Sequence, residues 1–411
     1  SWPEIKDVWL IIVFWNYSAM ISSSTQPAPQ RKNGTFRALY HRNYRLWFFG
    51  QGISLVGSWM QTMAQQVLVY RLTGSATALG VVSFIGLIPL IPLSFLSGSL
   101  ADRYPKRKII LYSQVAMMAQ ALILAWLTGT GQVQVWHVYV LSFFLGTAMA
   151  IDLPARQAFT VDLVDGKEDL TNAIGLNSAM FNTARALGPA LAGVVVAATG
   201  EANAFLLNSL TFVAVIISLV FMRNLPQSSK PLDKGSGTLS HMAGGLKYVI
   251  GNRVILVLVS LIAVSAFLSM PYNTLMPVFA GDILAESAKP VVSFFCAEAG
   301  GLFHCQAPEA LPLGMLLTMV GIGAVIAALT VASLPDRVSR GKLLTAGNIA
   351  FPVMLLLFAL SRSFLTSFGI MLLVGFSFVI QNALANTLLQ IASPDELRGR
   401  VMSVYSMTFQ G

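Results

Sequence analysis

The chain has 411 residues, of which 55% are hydrophobic and only 10% are charged, and its mean hydropathy is +0.70. Because soluble domains carry roughly 25% charged residues, this composition excludes an ordinary soluble protein and predicts an all-α integral membrane protein. The net charge of +9 would fit a nucleic-acid-binding protein, but the cations are spread over short loops between apolar runs, so we expect no nucleic-acid partner.

Residues 1–38 are predicted to be a partly disordered N-terminal tail. The chain begins with Ser1 rather than Met, and the apolar run at residues 8–15 is too short to cross about 30 Å of hydrocarbon. This run is either a signal-peptide core or sequence upstream of a true start at Met20, and we favour the second interpretation. The polar stretch at residues 22–33 favours disorder.

Six apolar stretches follow, each long enough to cross a bilayer at about 1.5 Å per residue. They are residues 46–72, 78–100, 109–128, 135–151, 173–199 and 204–222. We therefore predict a six-helix bundle over residues 39–223. In the polar linker at residues 224–252, apolar residues from Leu239 to Ile250 recur at helical spacing, which predicts an amphipathic helix on the membrane surface.

The second half, residues 253–411, is predicted to be a related bundle. Its apolar stretches are residues 254–280, 313–334, 343–360 and 365–389, and a further one that begins near Val401. Internal comparison aligns Gly411 with Ala184 of the first bundle. We therefore expect a truncated chain with about 10–11 of twelve helices, which inserts into the membrane but does not transport.

An insertion at residues 281–312 interrupts the second bundle on the side opposite its basic loops, where the first bundle has only a short turn. It contains Cys296 and Cys305, the only cysteines of the chain. A disulfide between them is chemically allowed on an outer face, and two unpaired thiols in an unstructured insertion are an equal alternative.

The distribution of Lys and Arg predicts the orientation of the helices. With the N-terminus in the cytoplasm, the cytoplasmic segments hold 21 of the 26 Lys and Arg residues, and the opposite loops hold three. Because basic loops stay on the cytoplasmic side, we predict a multi-pass protein of the cell membrane with a cytoplasmic N-terminus.

One basic loop has the sequence GSLADRYPKRK, residues 98–108, and part of it returns as SLPDRVSRGK, residues 333–342. The candidate gating residues in the two copies are Gly98, Asp102, Arg103, Lys106, Arg107, Asp336 and Arg337. The offset of 234 residues between the copies indicates a parallel repeat of the kind that transporters use. The plainer alternative is a positive-inside loop with an incidental acid.

The first loop resembles the GxLaDrxGrk signature of the major facilitator superfamily, except that Pro105 replaces a glycine. The stretch ARALGPALAG, which contains Gly188 and Pro189, is similar to the GP-containing fifth helix of the antiporters. Finer resemblance, to the enterobactin-exporter and macrolide-efflux branch, rests on FRALYHRNYRLWFFGQ, SWMQTMAQQVLVYRLTGSATALG and DLPARQAF, and covers residues 36–410 without the insertion.

The resemblance implies a two-bundle, 6 + 6 helix transporter of a bacterial inner membrane that works by alternating access. It implies proton-coupled export of a small amphiphilic molecule, such as a drug, a macrolide or a siderophore, by a monomer. It also implies that Asp102 locks the two halves through Arg398 and Arg400. One feature departs from the family: residues 135–151 lack the Arg that drug antiporters carry in the fourth helix.

Arg185 is the one charge placed well inside a predicted span. An isolated central Arg costs about 2.5–3.5 kcal/mol on insertion scales, so it should face a polar cavity or a partner. Asp152 is a candidate proton relay, because desolvation favours its protonated form. Helix capping by Asp152, or pairing with Arg156 at the surface, is the alternative that we favour.

Uncharged polar residues at depth predict a cavity for a bulky amphiphile, with Trp59, Met60 and Met63 as adaptable apolar surface. The polar set is Gln51, Gln61, Gln65, Gln66, Asn182, Asn208, Asn273, Gln381 and Asn382. Interhelical hydrogen bonding is the alternative interpretation for each of them. Gly188 and Pro189 are predicted to be mainly structural, with a gating role as a bend point.

The sequence does not favour an enzyme. It has no GxxxxGK[ST], HExxH or GxSxG motif, and its four histidines have no metal-ligand spacing, so we expect neither cofactor nor metal. The duplicated bundle also argues against a channel. The alternatives that remain are an uptake carrier, a lipid-type transporter and a non-functional truncated fragment.

Overall fold

The computed structural model describes residues 36–90, 92–93, 104–223, 225, 246–296, 305–335 and 338–394, together with 397, 401–402, 404–405 and 408. Within these residues all regular structure is helical. Five of the candidate gating residues lie outside the described residues: Gly98, Asp102, Arg103, Asp336 and Arg337. Residues 1–35 of the N-terminal tail and most of the linker lie outside them too.

The first bundle begins with a 3-10 turn, Arg37–Tyr40, and six α-helices follow it. They are α1 (Arg42–Thr73), α2 (Ala76–Leu87), α3 (Lys106–Gly129), α4 (Val135–Asp162), α5 (Lys167–Thr199) and α6 (Glu201–Phe221). The turn between α1 and α2 is short. Helix α1 ends where Gly74 takes the left-handed conformation at φ 60° and its N–H donates to the Tyr70 carbonyl. The Ser75 hydroxyl then caps α2 by accepting from the backbone N–H of Ala78.

The second bundle has five described helices. They are α7 (Arg253–Val278), α8 (Ala285–Cys296), α9 (Ala310–Ala332), α10 (Arg340–Leu360) and α11 (Phe364–Ala392). The Asn252 side chain caps α7, and the Ser339 side chain caps α10. Ahead of α7, residues 246–251 of the linker are helical, and Val249 is buried in the core of the second bundle.

Eight of the described helices are long and apolar enough to cross a membrane: α3, α4, α5, α6, α7, α9, α10 and α11. Helix α1 has 32 residues but is less apolar than these, because it carries four glutamines. The chain is therefore a multi-pass membrane protein, as its composition predicted.

Two helices extend further than the sequence indicated. Helix α4 was expected to end at Ile151 but runs to Asp162, so Asp152 and Arg156 are helical. Helix α7 continues as a π-helix, Phe279–Ile283, and leads into α8, which packs on α9 and α11. The alternative of an unstructured insertion with two unpaired thiols is therefore wrong for the residues of α8. The disulfide alternative is present, because Cys296 at the end of α8 is bonded to Cys305.

The two bundles meet mainly through α5 and α9. Gly193 of α5 faces Gly314 of α9, and a Cβ on Gly314 would lie 2.7 Å from the Gly193 Cα. Only glycine allows these two backbones to come so close. The contact fixes how the halves of the molecule sit against each other.

The apolar core is divided along the helix axes. We call the end at which α1, α3, α5, α7 and α10 begin the basic face, and the other end the opposite face. One core cluster joins both bundles, through residues such as Met63, Val196, Met276 and Leu316. Nearer the basic face, one cluster belongs to the first bundle alone and another to the second bundle alone.

Candidate functional site

A cavity lies between the bundles, midway along the helices. Its lining comes from α1, α5, α7 and α9: Trp59, Thr62, Met63, Gln66, Arg185, Pro189, Asn273, Leu317 and Val320. Among the described residues, the lining contains one cation and no acid. The space left for water-sized molecules is about 20 Å³, room for about one water molecule. The side chains of both bundles thus nearly fill the cavity in this conformation.

The guanidinium of Arg185 contacts aromatic rings from both bundles. Its Cζ lies 5.7 Å from the ring centroid of Trp59 in α1 and 5.3 Å from that of Phe378 in α11. Tyr272 of α7 is within hydrogen-bonding reach of the same group. The sequence predicted a polar cavity or a partner for this cation. The described residues provide cation–π contacts and a hydroxyl, but no salt bridge.

Gly188, one turn after Arg185, brings α5 close to α1. A Cβ on Gly188 would overlap the Cβ of Trp59 and lie 2.9 Å from the carbonyl oxygen of Val56. The absence of a side chain at this position therefore helps to place Arg185 against the Trp59 ring. Pro189 lies within α5, which continues to Thr199, and a role for Gly188 and Pro189 as a bend point stays a prediction.

Gln66 is a polar neighbour of Arg185 in the cavity lining. Its Nε2 donates to the backbone carbonyl of Asn273 at 3.4 Å, a bond that crosses from one bundle to the other. Its Oε1 is buried and has no hydrogen-bond partner among the described residues. The cavity therefore presents an unpaired acceptor beside a cation.

The other polar candidates of the first bundle are not part of this lining. Gln61 donates to Gln120 at 2.9 Å and accepts from Asn208 at 2.6 Å. Gln65 donates to a serine hydroxyl of α4 at 3.0 Å, and Asn182 donates to a carbonyl of its own helix at 2.9 Å. In this conformation Gln61 and Gln65 make hydrogen bonds between helices of their own bundle, as the alternative interpretation has it, whereas the bond of Asn182 stays within α5.

Asp152 and Arg156 form an ion pair one turn apart in α4. Asp152 is only 1% exposed, and Gln114 of α3 donates to its other carboxylate oxygen at 3.3 Å. The pairing that we favoured is present, but it is buried inside the bundle and not at the surface. The physical reason is that α4 continues past Ile151, which keeps Asp152 against α3.

Two cations of the first motif loop begin α3 and bind the ends of neighbouring helices. The Nζ of Lys106 lies 2.8 Å from the carboxylate of Asp162, at the end of α4. Arg107 donates to the carbonyl of Val220, at the end of α6, at 3.1 Å. Cations are favourable at helix C-termini, so the basic loop holds three helices together at this face.

The opposite face carries direct links between the bundles. The hydroxyl of Tyr70, near the end of α1, hydrogen-bonds to Asp282. The backbone amides of Gln306 and Ala307 both donate to the carbonyl of Ala197 in α5, at 2.7 and 3.2 Å. A second cavity of about 200 Å³ lies here. Its lining is Val67, Tyr70, Arg71, Pro277, Gly281, Asp282, Glu309 and Leu313.

Three residues that contact the candidate charges were not predicted from the sequence: Tyr272, Phe378 and Gln114. The two aromatic residues lie in apolar helices of the second bundle, where nothing in the local pattern marks them as neighbours of Arg185. A weak signal existed for Tyr272, because it adjoins Asn273, which the polar pattern selected.

Comparison with known proteins gives one family. The model of the transmembrane secretion effector family matches residues 33–296 and 304–411. The Staphyloferrin A transporter of Staphylococcus aureus is 24% identical over 75% of this chain and 72% of that protein. Macrolide efflux protein A of Streptococcus pyogenes is 25% identical over 59% of this chain and 60% of that protein. The enterobactin exporter EntS of Salmonella typhi is 23% identical over 89% of this chain and 82% of that protein.

Solved structures share the fold at low sequence identity. The nucleoside transporter NupG aligns with a TM-score of 0.62 at 14% identity, over 92% of this chain and 87% of that one. A bacterial homolog of the human lysosomal transporter Spinster, inward-facing and occupied, aligns with a TM-score of 0.60 at 12% identity, over 92% and 79% of the two chains.

Proposed function

The chain belongs to the transmembrane secretion effector family of the major facilitator superfamily, and on that premise we propose that it exports small amphiphilic molecules by alternating access. The protein is thus a membrane transporter and not an enzyme. We take the cavity around Arg185 as the transport site, since residues of both bundles line it. Transporters of this architecture bind substrate at the interface between their repeats.

The observation that carries the proposal is the unequal contact between the bundles. The links through Gln66, Tyr70 and Ala197 lie at the cavity or between it and the opposite face. Towards the basic face the core divides into one cluster for each bundle. A transporter that rocks two bundles around a central site has this arrangement when it is closed on one side and open on the other.

We propose that the basic face lies in the cytoplasm of a bacterium and that the membrane is its inner membrane. The described cations near the basic face are Arg37, Arg42, Arg45, Lys106, Arg107, Lys108, Arg223, Lys247, Arg253, Arg340 and Lys342. The opposite face has Arg71, Lys289 and Arg362. The positive-inside rule supports this orientation, which makes the present conformation one that receives substrate from the cytoplasm.

Proton entry is the proposed driving force, with Asp152 as the proton relay. When the buried carboxylate of Asp152 takes up a proton, it loses its charge and no longer forms the ion pair with Arg156. Arg156 is then free to change partners, which would alter the packing of α4. The resemblance assigns gating to the motif loops, including Asp102 and Asp336, and we propose that a monomer carries out the whole cycle.

The test is transport in everted membrane vesicles from cells that express the protein from its full reading frame. Labelled erythromycin and labelled enterobactin serve as probes, and lactate provides the proton gradient. We expect accumulation of at least one probe, and its loss on addition of a protonophore. Accumulation that is insensitive to the protonophore would disprove proton coupling, and accumulation of neither probe would contradict export of this class. The Arg362→Gln variant, altered at an exposed position, is the matched control.

A further inference from the structure

We infer that Arg185 makes the central cavity selective for organic anions, in which a carboxylate or a similar planar oxyanion is attached to an apolar body. The inference rests on the proposed function, because it names the chemical class that the transport site accepts. It also makes Arg185 the residue that determines specificity.

The first argument is charge. Arg185 is the only charged residue among the described residues of the cavity lining, and no described carboxylate pairs with it. Four other α-helical cations among the described residues have acids beside them: Arg71–Glu201, Lys106–Asp162, Arg156–Asp152 and Lys289–Glu286. An arginine without a counter-ion is unfavourable at the middle of a membrane, so an anionic ligand would provide the charge that the protein itself does not.

The second argument is the geometry of the guanidinium. The Trp59 and Phe378 rings lie 5.7 and 5.3 Å from its Cζ. An arginine held on aromatic rings keeps N–H groups at its edge for hydrogen bonds. These donors form a planar fork that matches the two oxygens of a carboxylate, whereas a lysine would act as a point charge. Arg185 and the two rings that hold it therefore select for the planar shape of the ligand's oxyanion as well as for its charge.

The third argument is the remainder of the lining. Met63, Leu317 and Val320 offer apolar surface for the body of the ligand. The unpaired Oε1 of Gln66 accepts a hydrogen bond, so a hydroxyl or amide donor near the oxyanion would be well placed. A cationic amphiphile would instead meet Arg185 with no acid in the lining to offset the repulsion.

The experiment is equilibrium dialysis of the 411-residue chain in lipid nanodiscs against three probes of one shape: 2-naphthoate, 2-naphthylmethanol and 2-naphthylmethylamine. Empty nanodiscs correct for partition into lipid. We expect saturable binding of naphthoate, at least tenfold weaker binding of the alcohol, and no saturable binding of the amine. Equal binding of naphthoate and amine, or saturable binding of neither, would overturn the inference.

Variants separate selectivity from folding. In Arg185→Gln, naphthoate binding should fall at least tenfold and the preference for naphthoate over the amine should disappear. Arg185→Lys keeps the charge without the fork, so it should bind naphthoate about threefold to tenfold more weakly yet still exclude the amine. Arg362→Gln, an exposed arginine on the opposite face, should bind as the wild type does. An unchanged preference in Arg185→Gln contradicts the inference. Binding of 2-naphthylmethanol by Arg185→Gln at the wild-type level shows that the loss of naphthoate binding does not come from misfolding.

The inference and the proposed function fail in different ways. Selective binding of naphthoate by a protein that shows no gradient-dependent export would leave the anion site standing and reject the export function. Proton-driven export with a preference for the amine would keep the function and reject the anion site.

Discussion

The hydroxyl of Tyr70 in the first bundle hydrogen-bonds to the carboxylate of Asp282 in the second bundle, at the face opposite to the basic loops. Tyr70 is in the last turn of α1, and Asp282 belongs to the π-helix that follows α7. The bond therefore joins the first helices of the two repeats. Alternating access requires it to break whenever the protein opens towards this face.

Replacement of Tyr70 should weaken this closure. A hydrogen bond of this kind contributes about 0.5–1.5 kcal/mol, so Tyr70→Phe should raise the population open on this face by about twofold to tenfold. Hydrogen exchange of the segment Phe279–Ile283 should become faster in the variant. Tyr112→Phe, at an exposed tyrosine of α3, is the control. Equal exchange in the wild type and Tyr70→Phe would show that the bond does not hold the face closed.

A methyl group on Gly314 should separate α5 from α9. The added Cβ would lie 2.7 Å from the Gly193 Cα and 2.8 Å from the Pro189 carbonyl oxygen, and neither backbone atom can give way alone. We expect Gly314→Ala to destabilise the protein by about 1–3 kcal/mol, measured as a lower thermal unfolding temperature.

The control for this change is Gly369→Ala in α11. A Cβ there meets nothing within 4 Å, and alanine is the better helix former by about 1 kcal/mol, so this variant should be at least as stable as the wild type. Matching losses in both variants would mean that the contact between α5 and α9 is not tight.

The disulfide between Cys296 and Cys305 should be found in protein prepared without reductant. A peptide map should recover the two cysteines in one linked fragment, and reduction should release two peptides. The bond closes a short loop, for which the chain-entropy model gives about 2–3 kcal/mol. The Cys296→Ser, Cys305→Ser variant should therefore show faster hydrogen exchange in α8. Two free thiols in the unreduced protein would contradict this assignment.

Thiol labelling should place the basic face inside the cell. In the background without cysteines, Lys108→Cys should react with a membrane-impermeant maleimide only after the cells are opened. Arg362→Cys, also exposed but on the opposite face, should react in intact cells. The reverse pattern would invert the proposed orientation.

Asp152→Asn should uncouple export from the proton gradient. The amide keeps the shape, and its single carbonyl oxygen can still accept from Arg156, but it cannot take up a proton in the physiological range. We expect gradient-driven accumulation to fall at least tenfold, with little change in substrate binding. Asp165→Asn, a fully exposed acid, is the control. Undiminished export by Asp152→Asn would exclude this relay.

Much of the fold was predictable because each helix carries its own signal. Eight predicted spans correspond to helices long and apolar enough to cross the membrane. The errors fall where polarity was taken for the end of a helix. Asp152 and Arg156 extend α4, because they satisfy each other inside the bundle. The residues of α8 were taken for an irregular insertion, because the first bundle has only a short turn at the corresponding place and therefore no helix to compare with α8.

The site was predictable only in part. Arg185 was identified because a single charged residue within an apolar stretch can be recognised from the sequence alone. Its ring contacts come from residues 126 positions earlier and 193 positions later, Trp59 and Phe378. Those contacts depend on how the two bundles pack against each other, and no local sequence pattern predicts that packing. For the same reason Gln61 was grouped with Gln66 from the sequence, although the two residues lie on different sides of α1.

The amides of Gln306 and Ala307 reach the carbonyl of Ala197 with main-chain atoms alone. Every amino acid except proline supplies the same N–H group. The side chains at these two positions can therefore differ between related proteins without loss of the two hydrogen bonds. A search for correlated substitutions would not find this link. The link therefore depends on the course of the backbone, and homologues can keep it without keeping the identity of any residue at these positions.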